Sequence, residues 1–380
     1  MGRWSTGVWP AVVAVAALGC GGAPGPKPPE PVSGVPPARL ARLKHGVNVT
    51  RWFNEWGRTP PFADHLSDAD LSAIRALGFG VVRLAVDPQY LYRPDEPDLL
   101  EPAVLADLDS AVDRLLAHDL GVIVTPFLHD RSLVRDSAGA AGFVRFWEAL
   151  AGHLSTRDPE RVFLEVLNEP VFYDRPDAWL ELQRTLLAAM RRGAPGHTLI
   201  ATGPSWSTID GLLRVSPVRD PNVVYTFHFY EPWDFAHQGL RWAGTGELRD
   251  LPYPADPPRC AATLGRLTDS SALADAKAYC AGHWNAAALG LALDRAAQWR
   301  RTNGVPVFAG ELGVTCTAPK QDRLVWIRDA RVELERRGIG WALWGWDDCF
   351  GLNAHRQADG RLVLDADVLE ALGLATSTAR

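Results

Sequence analysis

Gly121-Val122-Ile123-Val124-Thr125, then Val162-Phe163-Leu164-Glu165-Val166, then Thr198-Leu199-Ile200-Ala201-Thr202: three short apolar runs separated by amphipathic stretches at residues 143–154 and 179–191. Near-continuous apolar runs of this length are strands buried on both faces, and helices between them place such strands parallel in one sheet. The same scheme extends in both directions. Upstream lie Gly46-Val47-Asn48-Val49 and Val81-Val82-Arg83-Leu84-Ala85; downstream lie Val223-Val224-Tyr225-Thr226-Phe227, Val305-Pro306-Val307-Phe308-Ala309 and Gly340-Trp341-Ala342-Leu343. Helical patterns at 69–77, 104–118, 286–301 and 322–337 fill most of the gaps, and the weakest unit is a short helix within 206–215. Eight strands alternating with helices predict an α/β fold, a closed (β/α)8 TIM barrel forming a single catalytic domain over residues 44–375. The connection after the sixth strand is long, an insertion at residues 231–285 rich in proline and aromatic side chains, and such segments are functional or separately stabilised.

The bulk properties fit one large core. The chain has 380 residues, 47% hydrophobic and 22% charged, with a formal charge of −6. No stripe of Lys or Arg follows a phosphate backbone, so nucleic acid is not an expected partner. At the N-terminus Arg3, the apolar residues 8–18 and Leu18-Gly19-Cys20 form a processing signal too short for a permanent span. It resembles a bacterial lipoprotein signal, with Cys20 lipidated after cleavage of residues 1–20. A departure is Ala17, where that motif usually has Leu. Residues 21–43 are Pro/Gly-rich and read as a linker between anchor and domain. The protein is therefore expected to be exported, touching membrane only through Cys20, and to be a monomer.

With Cys20 set aside, Cys260, Cys280, Cys316 and Cys349 form an even set in an oxidising compartment, which implies two disulfides. Cys316 and Cys349 lie shortly beyond the ends of adjacent strands seven and eight, and Cys260 and Cys280 share the insertion. The expected pairs are Cys316 with Cys349 and Cys260 with Cys280. No CxxC is present, and neither a metal nor a cofactor is expected.

In a barrel of this kind the reactive groups come from the C-terminal ends of the strands. There the sequence places Arg83 on strand two, His129 after strand three, Asn168-Glu169-Pro170 on strand four, His228-Phe229-Tyr230 on strand six, Gly310-Glu311 on strand seven and Trp344 on strand eight. Cleaving a glycosidic bond requires one carboxyl group to protonate the leaving oxygen and another to attack or stabilise the oxocarbenium-like centre. Glu169 and Glu311 supply such a pair.

At these residues the chain resembles the family 5 glycoside hydrolases, cellulase-like members of the 4/7 superfamily. The likeness covers residues 46–352. It is carried by Leu164-Glu165-Val166-Leu167-Asn168-Glu169-Pro170, Phe308-Ala309-Gly310-Glu311-Leu312-Gly313 and Trp341-Ala342-Leu343-Trp344-Gly345-Trp346. The resemblance implies that Glu169 is the acid/base and Glu311 the nucleophile, held ionised by Arg83 and the Tyr230 hydroxyl. It implies further that Asn168 binds the 2-hydroxyl of the sugar, that His129 and His228 line the cleft, and that Trp344 is the platform beneath the central sugar. Trp52, Trp206 and Trp233 follow strands one, five and six and are open to either packing or sugar contact. Trp341 and Trp346 are as well explained by packing.

The ending Trp344-Gly345-Trp346 with Phe350-Gly351-Leu352 looks more like the glucanase than the mannanase side of the family. The expected activity is retaining, endo-acting hydrolysis of β-1,4-glucan, with the two carboxyls about 5–5.5 Å apart. β-Mannan and other β-glycans are alternatives on the same scaffold. Two further classes are a carbohydrate-binding barrel without turnover, which the presence of both glutamates opposes, and a serine esterase, for which Gly203-Pro204-Ser205-Trp206-Ser207 lacks the required elbow.

Overall fold

The computed structural model describes residues 33–54, 59–62, 65–93, 96, 98–128 and 132–374. Eight strands close a parallel barrel in chain order: β1 (His45–Phe53), β2 (Val81–Val86), β3 (Gly121–Pro126), β4 (Val162–Glu165), β5 (Thr198–Thr202), β6 (Val223–Phe229), β7 (Val307–Leu312) and β8 (Gly340–Leu343). The helices are α1 (Pro37–Arg42), α2 (Asp68–Ala76), α3 (Pro102–Ala117), α4 (Ser132–Arg135), α5 (Ser137–Leu154), α6 (Pro176–Gly193), α7 (Ile209–Leu213), α8 (Trp233–Ala236), α9 (Pro257–Leu264), α10 (Ser270–Ala281), α11 (Ala286–Asn303), α12 (Lys320–Arg336) and α13 (Ala366–Ala371). Local sequence sets their ends. Ser67 caps α2 in a reciprocal box with Asp70, Asn285 caps α11, and Gly304 closes α11 in the left-handed conformation at φ 62°.

Period-2 alternation divides each barrel strand between two cores. Outward side chains such as Val82, Leu84, Val124, Leu164 and Phe227 pack on the helices, whereas Val81, Ile123, Phe163, Ile200, Val224, Phe308 and Ala342 meet inside as the barrel floor. Two residues further along β2 and β4, the same inward parity delivers Arg83 and Glu165. The apolar floor thus lies directly beneath a charged layer at the catalytic end.

Part of the stretch read as linker is instead structured. Helix α1 lies within it, Val35 and Leu43 plug the floor, and Arg39 is buried with its guanidinium on Glu160 at 2.7 Å, the Gly196 carbonyl and Thr198 Oγ1. The periodicity of Val35, Arg39 and Leu43 carries this, and the surrounding prolines mask it. Strand β7 begins at Val307, because Pro306 has no N–H for the ladder and contributes only its carbonyl, to Tyr225 N. Helix α5 starts earlier than its apolar pattern, where Asp136 accepts from Gly139 N.

The insertion folds as α8, a turn at Arg241–Ala243, α9 and α10 over the buried Phe235, Leu251, Tyr253 and Tyr279. One disulfide joins Cys260 on α9 to Cys280 on α10; the other joins Cys316 after β7 to Cys349 after β8. A hairpin, β9 (His355–Arg356) with β10 (Leu362–Val363), precedes α13.

Candidate active site

Arg83 is the centre of the site. It is wholly buried and spends its fork on four side chains: Nε and Nη2 donate to the two oxygens of Glu165 at 2.8 and 2.7 Å, Nη2 also to Asn168 Oδ1 at 2.8 Å, and Nη1 to Glu311 Oε1 at 2.8 Å and Asn48 Oδ1 at 2.9 Å. A buried guanidinium requires such compensation, because an unpaired charge in the interior is prohibitively costly. The other oxygen of Glu311 accepts from the Tyr230 hydroxyl at 2.9 Å.

Glu311 reaches this position through a bulge. Pairing along β6 and β7 shifts register after Phe227–Ala309, so that His228 comes to lie opposite Glu311. Gly310 sits at the shift: a side chain there would meet Thr226 Oγ1 at 2.7 Å, the hydroxyl that accepts from Gly310 N at 3.1 Å. Asn48 Nδ2 holds the Gly310 carbonyl from the other side at 3.0 Å. Bulges of this kind re-aim side chains at barrel rims.

Glu169 follows β4 with φ of 44°, a conformation disfavoured for a residue with a side chain. Its Oε1 lies 2.8 Å from His228 Nδ1, which is also 3.3 Å from Glu311 Oε2, so the imidazole nitrogen facing both carboxylates carries the proton. Burial holds His228 down to about 4. Burial also pushes Glu311 up to about 7, with the charge of Glu169 adding to it. Arg83 and the Tyr230 hydroxyl oppose that rise. His228 does so only where its ring is charged, which at neutral pH it is not, so above pH 4 it serves as a neutral donor.

Glu169, His228 and Glu311 are the one group of metal-ligating side chains that converges among the described residues, with ligand atoms within 4.8 Å of one another. Those atoms are engaged in the hydrogen bonds above, and Arg83 at 2.8 Å from Glu311 opposes a cation there. The trio fits proton chemistry better than coordination.

Of the residues singled out from the sequence, Arg83, Asn168, Glu169, His228, Tyr230 and Glu311 form one network. Trp344 stands half-buried at the same end, its ring 6.1 Å from Phe127. Trp206 is half-buried, its backbone N bound to the Pro170 carbonyl at 3.1 Å, beside Glu169. Trp52 does not face the cleft: it is fully buried with Nε1 donating to the Phe62 carbonyl at 2.8 Å, while Trp341 and Trp346 are core. His129 and Cys20 lie outside the described residues. Glu165 and Asn48 complete the network without having been singled out. The signal was present, since each is a polar residue at the inward parity of an otherwise apolar strand.

A family description of Cellulase (glycosyl hydrolase family 5) matches residues 42–349, the whole barrel with its insertion. The chain belongs to glycoside hydrolase family 5. Among relatives of this family 5 hydrolase, Endoglucanase 3 of Fibrobacter succinogenes is 26% identical over 88% of the chain and 53% of its own length, so the chain spans about half of that relative. Endoglucanase C of Acetivibrio thermocellus is 24% identical over 81% of the chain and 92% of its own length. Among solved structures, the Clostridial cellulose synthase subunit Z from Clostridioides difficile superposes with a TM-score of 0.70 at 25% identity, over 87% of this chain and 99% of that one. The family 5 hydrolase shares the fold of that structure.

Proposed function

We propose that the chain is a retaining endo-β-1,4-glucanase in which Glu311 is the nucleophile and Glu169 the acid/base. The observation that carries this reading is the approach of the two carboxylates, one oxygen of each lying within 4.8 Å of one oxygen of the other. Retaining enzymes hold the pair about 5–5.5 Å apart, whereas inverting enzymes need about 6.5–9.5 Å to admit a water. Glu311, with Arg83 on one oxygen and Tyr230 on the other, attacks the anomeric carbon while Glu169 protonates the departing oxygen. A glycosyl ester forms on Glu311, and Glu169, now a base, activates the water that opens it. Arg83 fixes Asn168 Oδ1, which leaves the amide NH2 to donate to the 2-hydroxyl, a contact that strengthens as the oxocarbenium character grows. Trp344 stacks beneath the sugar. β-1,4-Glucan is favoured among β-glycans by the endoglucanase names of the relatives and by the Trp344 to Leu352 segment.

Proton NMR of a β-1,4-glucan digest should show the β-anomer first; prompt α-anomer would overturn both roles. Glu311→Ala should lose both steps. Glu169→Ala should still turn over substrates with an activated leaving group and, with azide, yield the β-glycosyl azide.

The two disulfides fit an oxidising compartment and support export. For the anchor, Cys20→Ser should release into the aqueous phase a protein that otherwise partitions into detergent; a wild-type chain that stays aqueous would refute lipidation.

A further inference from the structure

Among the described residues, eight that are not glycine hold a positive φ. Asp119, Asp250, His283 and Asn353 are of the types that visit the left-handed region most readily. The other four are not: Glu169 at 44°, and the consecutive Ser205, Trp206 and Ser207 at 65°, 61° and 53°. Conformations of this kind persist only where the surroundings over-determine them, and they gather where geometry serves chemistry.

The turn at Ser205 to Ser207 is fixed from two sides. Gly203, just before it, lies so close to α7 that a side chain there would meet the Gly211 carbonyl carbon at 2.1 Å. Thr208, just after it, caps α7 by accepting from Gly211 N at 3.2 Å. Within the turn, the fully buried Ser207 Oγ accepts from Thr202 Oγ1 of β5 at 2.7 Å. From this anchorage the backbone reaches Glu169 by two routes. Trp206 N donates to the carbonyl of Pro170, the residue after Glu169, at 3.1 Å, and the Ser207 carbonyl accepts from His228 N at 2.7 Å. His228 Nδ1 in turn lies 2.8 Å from Glu169 Oε1. These links close a ring that runs from the Glu169 backbone through Pro170, the turn and His228 to the Glu169 carboxyl.

We propose that Ser207, clamped by Thr202, is a positioning residue that sets Glu169 for proton transfer through this left-handed turn. The ring holds the side chain at its root and at its tip, so the strained backbone of Glu169 has no free direction in which to relax. A general acid must lie within hydrogen-bond reach of the departing oxygen, and a small displacement is felt there first. Glu311 is held separately, by Arg83 and the Tyr230 hydroxyl, so loosening the turn should slow protonation and spare nucleophilic attack. The proposal rests on the assignment of Glu169 as acid/base.

The test compares two substrates with the full chain: cellotetraose, whose departing sugar must be protonated, and dinitrophenyl β-cellobioside, whose leaving group needs no proton. Ser207→Gly places at this φ a residue that adopts it without strain, and Thr202→Val keeps the side-chain shape while removing the hydroxyl. In both variants kcat/KM on cellotetraose should fall about tenfold, part of the roughly 10²–10⁴ that a general acid supplies. On the dinitrophenyl glycoside kcat/KM should match the parent, while kcat and KM fall together because the ester on Glu311 still needs Glu169 as base. Thr202→Ser, which retains the hydroxyl, should restore the parent values. Equal losses of kcat/KM on both substrates, or none on either, would overturn the positioning role. Loss of cooperative melting in both variants would do the same, since the turn would then be a folding element. Glu169→Ala is the reference: were it to lose kcat/KM equally on both substrates, the acid/base assignment itself would fall. A parent enzyme that cleaves neither substrate would overturn the β-1,4-glucanase reading, and the proposal with it.

Discussion

Arg83 divides one positive charge between two carboxylates, and that division sets the protonation of Glu311, the proposed nucleophile. Glu165 takes two of its N–H groups and Glu311 one. In the proposed mechanism nucleophilic attack needs Glu311 ionised, so activity should be lost as pH falls through its pKa. Burial holds that value up to about 7, and the acid limb of kcat/KM should therefore lie close to neutrality. Tyr230→Phe removes a hydrogen bond donated to the ionised form and should move the limb to higher pH. Glu165→Gln leaves the Arg83 charge to Glu311 and should move it lower. A hydrogen bond to a charged group is worth about 1.5–3 kcal/mol, so shifts of about one pH unit or more are expected. Shifts of the same sign in both variants would show general damage in place of charge partition. Glu165 and Asn48 are proposed as positioning residues, both acting through Arg83. Strand parity, Asn-Glu-Pro and Gly-Glu made the carboxylates legible in the sequence. The partners were less so, because which inward polar residue reaches which other depends on the stagger of the closed barrel, and no single strand encodes that.

At the scale of elements, strands were easier to read than their connections. A strand buried on both faces must be apolar along its length, whereas the insertion shows only its own small core. Prolines and short helices hid α8, α9 and α10 within what looked like loop. The Cys260–Cys280 bridge closes a separation of 20 residues and Cys316–Cys349 one of 33, for which the chain-entropy account gives about 3–4 kcal/mol each, strain apart. Their losses should differ in kind. Cys260→Ser with Cys280→Ser should loosen α9 and α10 locally, so limited proteolysis should cut first within residues 231–285 while the barrel persists. Cys316→Ser with Cys349→Ser frees the loops on either side of Phe350, whose ring touches Tyr230 at 6.1 Å, and should lower kcat/KM as well as Tm. First cleavage inside the barrel of the former variant would show that the insertion is no separate unit.

Across the whole molecule, stability and chemistry occupy opposite ends of one barrel. The charged network gathers at the C-terminal ends of the strands, while the other end is closed by apolar packing and by the segment leading into β1. Arg39 is the polar member of that closure, 6% exposed, and serves three partners at once: the Glu160 carboxylate, the Gly196 carbonyl and Thr198 Oγ1. Glu160 is itself half-exposed, so its ion pair is screened and contributes little. The larger cost of Arg39→Ala comes from taking a donor away from the buried Thr198 Oγ1, which keeps only its own donation to Asn222 Oδ1, and from opening space against the floor. An unsatisfied buried polar group costs about 1–3 kcal/mol. That loss should appear as a drop of several degrees in Tm, since about 1 kcal/mol moves Tm by a few degrees in domains of this size. The floor cluster of Val81, Phe163, Val224 and Phe308 separates Arg39 from the Arg83 layer. Turnover measured well below the lowered Tm should accordingly match the parent in both kcat and KM. A variant that kept its Tm would show that Asn222 and solvent suffice for those groups. One that lost kcat at an unchanged Tm would show that the floor transmits strain to the carboxylates, contrary to the separation of the two ends.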